Sequence, residues 1–184
     1  QVMGGFIVGF DSDSPSIFHR QIDFIQKSGI VTAMVGMLQA PPGTRLFERL
    51  TRERRVRETF SGDNVDGSTN IVPKMGFDNL REGYRTMIQH IYSPRHYYQR
   101  VKTFLSEYKP SKIKPSLDMQ RFLAFFRSIL RLGILGKERF QYWKLLLWTL
   151  FRRPRLFPEA VTFAIYGYHF RKVCEIRLVD GLAE

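Results

Sequence analysis

Two short apolar stretches set glycines, one isolated aliphatic side chain and two polar groups at a spacing suited to holding a flat ligand. In residues 1–11 the side chains alternate, as on an extended strand. Val2, Gly4, Phe6, Val8 and Phe10 fall on one side, and Met3, Gly5, Ile7, Gly9 and Asp11 on the other. The first side is large and apolar, as a face packed under helices must be. The second thins to glycine around Ile7, which leaves space beside the backbone, and it ends in the carboxylate of Asp11. A second apolar strand follows at 30–38 and ends at Gln39, within reach of the same region. In a parallel α/β barrel, ligands bind at the C-terminal ends of the strands. The pattern therefore predicts a piece of a ligand-binding barrel, belonging to a longer protein. For Asp11 two roles stand open, contact with a ligand or support of the turn that follows.

Other groups that could do chemistry have simpler roles. Asp13 and Ser14 are suited to capping a helix that begins near Pro15. His19, His90, His96 and His169 lie on predicted helices without metal-ligand spacing. The loop 61–68 is acidic and rich in turn formers, yet its spacing departs from the calcium-loop pattern. Cys174 is the single cysteine, so these residues contain neither a disulfide framework nor a cysteine-built metal site. It reads as a small buried apolar residue.

The elements that must position these residues are legible as periodicity. Ile17, Phe18, Ile22 and Ile25 have helical spacing, and Ser28-Gly29 ends the run. Strand, helix and strand make a βαβ unit, which implies parallel pairing. Thr44 caps a short helix to about Arg54, and Thr69–Val72 is a candidate short strand. From Phe77 the chain is helical, with Asp78 as a candidate cap and a helix after Ser93-Pro94 carrying Tyr97, Tyr98, Val101, Phe104 and Leu105. Three further helices are expected at about 116–135, 137–152 and 156–180. The expected fold class is α/β then mostly α: the last strands of a partial (β/α) barrel, residues 1–76, then a helical C-terminal domain, residues 77–184, with a proline- and lysine-rich linker near 109–115.

Charge is uneven. Of 29 Lys and Arg against 17 Asp and Glu, nine cations and the single acid Glu138 lie in 121–155. Such a field suits nucleic acid, an anionic membrane surface or an acidic partner, or is simply a solvated face. No nucleic-acid signature accompanies it, so nucleic acid is not favoured. In 140–157, Tyr142, Trp143, Leu146, Leu150 and Phe151 precede Arg152, Arg153 and Arg155. Apolar bulk beside cations fits either an interfacial helix or the filling of a helical bundle.

Two motifs resemble those of a known superfamily. Gly5-x-Ile7-x-Gly9 on the first strand and Gly36-x-x-x-x-Pro41 at the end of the second resemble the fifth- and sixth-strand elements of radical S-adenosylmethionine enzymes. The wider text of residues 3–110 is similar to the cobalamin-binding branch, which continues into a helical extension. The resemblance implies that Ile7 presses on the cofactor's adenine while Gly5, Gly9 and Gly36 allow close backbone approach. The family motif often ends in Glu where this chain has Ser12 between Asp11 and Asp13.

It further implies a parent enzyme that uses S-adenosylmethionine, a [4Fe–4S] cluster and cobalamin to methylate an unactivated carbon of a lipophilic or secondary-metabolite substrate. The partners implied are a small-molecule or lipid substrate and an electron-donor protein. The family's Cys-x-x-x-Cys-x-x-Cys loop is not in these residues, so the chain by itself is expected to be inactive and the loop to lie upstream. Cysteine usage and the lack of a signal-peptide pattern predict a cytoplasmic setting, and peripheral contact with the inner face of the membrane stands open beside it. With a truncated sheet edge, the first strand is expected either to pair with another copy or to pack against the helical tail. The competing class is a basic helical binding module for nucleic acid, a membrane surface or a partner protein.

Overall fold

A computed structural model describes residues 3–57, 60–62, 67–109 and 119–180. It is mostly helical, with one small parallel sheet. Strand β1 (Met3–Val8) leads into helix α1 (Ser16–Ser28) and strand β2 (Thr32–Met37). Next come α2 (Arg45–Arg52), α3 (Phe77–Tyr92), α4 (Pro94–Glu107) and α5 (Met119–Ser128). Helix α5 runs into a π-helical turn, Ile129–Ile134, which is followed by α6 (Arg139–Arg152), a 3₁₀ turn and α7 (Phe157–Asp180). The α/β-then-α order agrees with the sequence pattern. Most of the expected 109–115 linker lies outside the described residues.

The described residues form two compact units, one from 3–25, 32–91 and 173–180, the other from 26–31 and 92–172. In the first, β1 and β2 pair in parallel, with Gly5 beside Met34 and Ile7 beside Gly36. One sheet face is covered: Val8, Ala33, Val35 and Met37 are buried, as are Phe18, Ile22 and Ile25 of α1. Helix α3 joins this core through Leu80, Tyr84 and Met87, and the Tyr84 hydroxyl donates to the Val35 carbonyl at 3.2 Å. Gly83 is what admits it so closely, since a Cβ there would stand 2.1 Å from the Phe18 ring.

Beyond β2, Leu38, Ala40, Leu50 and Ile71 form a second cluster with Leu46, Phe47 and Val56 packed on it. Thr44 caps α2, its hydroxyl accepting from the Phe47 N–H at 3.2 Å. The expected strand at 69–72 is a single antiparallel bridge, Val56 to Ile71. Two backbone bonds make that bridge, Arg57 N–H to Asn70 O at 2.7 Å and Val72 N–H to Arg55 O at 2.8 Å, and side chains fasten the segment to the end of β2. Asn70 both accepts from and donates to the Ala40 backbone, at 2.7 and 2.8 Å, and the Thr69 hydroxyl donates to Leu38 O at 2.6 Å. Asp78 stands in the first turn of α3, inside the helix, because α3 already begins at Phe77.

In the second unit, Tyr97, Tyr98, Val101 and Leu105 of α4 are buried, as are Tyr142, Leu145 and Leu146 of α6 and Ala160, Phe163 and Ala164 of α7. The Tyr97 hydroxyl donates to Phe163 O at 2.8 Å, and burial raises its pKa and that of Tyr98. Two buried charges are held by hydrogen bonds, one of them within an ion pair. Arg100 donates to Gln26 Oε1 at 2.6 Å and Val31 O at 3.2 Å, and Glu138 pairs with Arg171. The helix expected at about 116–135 is α-helical only to Ser128. Beyond it Leu135 N–H donates to Leu130 O, a five-residue step that defines the π turn. In the 140–157 stretch, Tyr142 and Leu146 are core, whereas Trp143, Leu150 and Phe151 are exposed, Phe151 by 80%.

Candidate functional site

The uncovered face of the β1–β2 sheet brings together three of the sequence-predicted residues, Gly5, Ile7 and Gly36, and leaves Gly9, Asp11 and Gln39 elsewhere. Met3, Gly5 and Ile7 point to it from β1, and Met34 from β2. Ile7 is 46% exposed and Met34 is 42% exposed, an unusual state for the middle of a parallel strand. Gly5 keeps the surface low between them, for a Cβ built there meets nothing within 4 Å. Gly36 lies beside Ile7 in the register and is itself buried. The open surface is thus Gly5, Ile7 and Met34: a flat apolar step with bare backbone alongside. It has the shape to take one face of a planar ring.

Gly9 has a different place. Its φ of +103° ends the strand, and a Cβ there would sit 3.0 Å from a Leu80 methyl. Alternation therefore stops at Val8, and Phe10, expected on the covered face, is exposed instead. The turn is fastened by Asp13, whose Oδ2 accepts from the N–H groups of both Gly9 and Phe10 at 2.9 Å. Asp13 thus braces the strand exit, where a cap of α1 was expected. It cannot serve both, because α1 begins only at Ser16.

Asp11 is held by cations that the sequence separates widely. Arg55 donates to Oδ1 at 2.6 Å and Oδ2 at 3.1 Å, Arg49 donates to Oδ2 at 2.8 Å, and Lys74 stands 4.0 Å away. Glu53, 2.8 Å from Arg55, completes the network. The forked bond from Arg55 lowers the Asp11 pKa from 3.8 to about 2, against the opposing effect of burial, with Arg49 assisting. Both oxygens are engaged within the protein, and the network ties the end of β1 to α2 and the segment after it. Gln39 is buried, and its amide donates to the Ser61 and Ser68 hydroxyls at 3.1 and 3.2 Å, closing the base of the 61–68 loop. Residues 63–66 of that loop lie outside the described residues.

The sheet face suits an adenine ring, because an apolar step with a side-chain-free backbone beside it allows stacking at van der Waals distance. The chain's donor set does not suit an iron–sulfur cluster. Cys174 is its one cysteine, and burial pushes that thiol up to about 11, with Glu175 adding to the shift. Among the described residues no His, Cys, Asp or Glu trio is placed to hold a metal ion. Nor, among them, is any helix long and apolar enough to cross a membrane.

Comparison with known proteins places this geometry in context. Residues 44–180 match a family model described as a domain of unknown function, DUF4070. The chain is 29% identical over 180 residues to an uncharacterized methyltransferase of Synechocystis, covering 95% of this chain and 33% of that protein. It is 27% identical over 160 residues to a hopanoid C-2 methylase of Rhodopseudomonas palustris, covering 83% of this chain and 29% of that protein. A bacteriochlorophyllide d C-12(1)-methyltransferase of Chlorobaculum tepidum is 32% identical over 93 residues, half of this chain and 20% of that protein. The chain spans a third or less of the length of these curated relatives. No solved structure matches it significantly.

Proposed function

The chain belongs to the DUF4070 family, a domain found in cobalamin-binding radical S-adenosylmethionine proteins, and from that premise we propose that it is part of a cobalamin-dependent radical S-adenosylmethionine methylase. Its substrate is an unactivated carbon on a lipophilic or secondary-metabolite molecule, a reading supported by the hopanoid and bacteriochlorophyllide methylases among its relatives. In this proposal residues 1–76 are the closing strands of the barrel and 77–184 a helical cap, in a cytoplasmic protein served by an electron-donor protein. The cofactors supply the radical and methyl-transfer chemistry when bound. This chain's part is positional. Ile7 gives the adenine an apolar surface, Gly5 lets the ring approach the backbone, and the Asp11 network holds the strand end that carries both. The cluster's thiolates and the cobalamin site belong to the rest of the parent protein, so the chain alone does not cleave S-adenosylmethionine.

The observation that carries the proposal is the open Gly5–Ile7 step on the uncovered face of the parallel sheet. Its test is substitution at Gly5 in the full-length protein. A Gly5→Val side chain would extend into open space, leaving the fold intact while occupying the ring's place. The expected outcome is S-adenosylmethionine binding weakened by about tenfold or more, since losing the stacked contact area is worth roughly 1.5 kcal/mol or more, with an unchanged melting temperature. Equal affinity in Gly5→Val and wild-type protein would reject the adenine site.

A further inference from the structure

A groove of about 620 Å³ opens within the helical unit, between α5 with its π turn and α7. Arg127 and Arg131 reach it from one side, and His169 and Lys172 from the other. No carboxylate is among its lining residues. Placing Arg127 and Arg131 four apart on one helical segment sets like charges on neighbouring turns, which costs stability. Among the described residues neither arginine has an ion-pair partner. Glu138 is already engaged by Arg171.

One of these cations is held ready. Arg131 Nε donates to the Tyr168 hydroxyl at 3.1 Å, and its guanidinium lies 5.1 Å from the Tyr168 ring centroid. That ring also has Arg171 at 5.8 Å. The Tyr168 contacts therefore fix the plane of the Arg131 guanidinium and use one donor, leaving its two terminal nitrogens for a ligand. Arg131 stands in the π turn, a feature that interrupts helical regularity and recurs at functional sites. The floor is apolar, from Leu132 and Ile165. One step round the helix from the two arginines, Phe126 and Leu130 are exposed.

We propose that this groove binds the phosphate group of an amphiphilic molecule. Arg127 and Arg131 together balance a phosphate dianion, and guanidinium forks match its oxygens. The apolar floor and rim then accept the attached hydrocarbon. The phosphate can come from a soluble phosphate ester or from the head of a membrane lipid. The inference does not depend on the adenine site, which belongs to the other unit.

The test uses the full-length protein and two probes: inorganic pyrophosphate in calorimetry, and flotation with phosphatidylcholine vesicles that do or do not contain phosphatidic acid. The groove variant is Arg127→Gln/Arg131→Gln, and the control is Arg152→Gln/Arg155→Gln on exposed positions outside the groove. Each exposed arginine can be neutralised without disturbing the core, which a melting temperature verifies. A soluble source predicts pyrophosphate binding weakened at least about tenfold in the groove variant and retained in the control. A lipid source predicts phosphatidic-acid-dependent flotation lost in the groove variant and retained in the control. Failure of both probes to bind wild-type protein overturns the proposal. So does equal weakening in groove and control variants, which would mark diffuse charge attraction.

Discussion

Asp11 shows how a carboxylate at a strand end acquires its role from its neighbours. Its folded pKa of about 2 lies below the ordinary 3.8, so the ionised form is the one the fold favours. A depressed carboxylate stabilises the protein fully above its unfolded pKa and loses that contribution as pH falls through its folded pKa. The window is therefore 3.8 down to about 2. Asp11→Asn is expected to lower the unfolding free energy by about 1–2 kcal/mol at neutral pH, a value reduced from the full shift for partial solvent screening. Urea denaturation at several pH values checks it. The gap between wild type and variant should close through this acid window, and a gap independent of pH would show that charge plays no part.

At the scale of elements, close approach in both cores depends on glycine. Helix α3 lies against α1 because Gly83 accepts the Phe18 ring, and α7 lies against α4 because a Cβ at Gly167 would fall 2.2 Å from the Tyr97 ring. Gly83→Ala should destabilise the first unit by about 1–3 kcal/mol through overpacking. Combining it with Phe18→Leu should recover part of that loss, since the two changes share one volume. Denaturation of the four species of the cycle gives the coupling. Strict additivity would mean that α1 and α3 yield elsewhere instead. The π turn belongs to the same scale: a local departure from the α-helix coincides with Arg131 and with the groove.

For the molecule as a whole, the informative surface is the apolar one left uncovered. Met3, Ile7 and Met34 share the open sheet face of the first unit. The outer edge of β1 is only partly occupied, with the Gln21 amide donating to Ile7 O at 3.0 Å. Exposed sheet faces and strand edges drive association. The 184-residue chain expressed alone should therefore self-associate on size-exclusion chromatography and bind an apolar dye. Ile7→Thr/Met34→Thr should reduce both without lowering the melting temperature. A wild-type chain that runs as a monomer and binds no dye would contradict this.

Much of the local structure was legible because its causes are short-range. The alternation around Ile7, the helical spacing of Phe18, Ile22 and Ile25, the Thr44 cap and the stop at Gly29 depend on neighbours within one or two turns. The open step of Gly5 and Ile7 follows from that alternation. Other features came only with the tertiary structure, because their partners are distant in sequence. Asp11 meets Arg49 and Arg55 from 38 and 44 residues away. Arg100, one position from core Val101, is buried by bonds to residues about 70 positions earlier. Gly9 leaves the alternation because Asp13 and Leu80 fix its positive φ, so Phe10 turns outward. The groove needs α7 opposite the π turn, and helical periodicity alone reports neither the turn nor the pairing. Side-chain type and spacing set what each segment can become, whereas long-range packing decides which charges meet, which stay buried and which remain for a ligand.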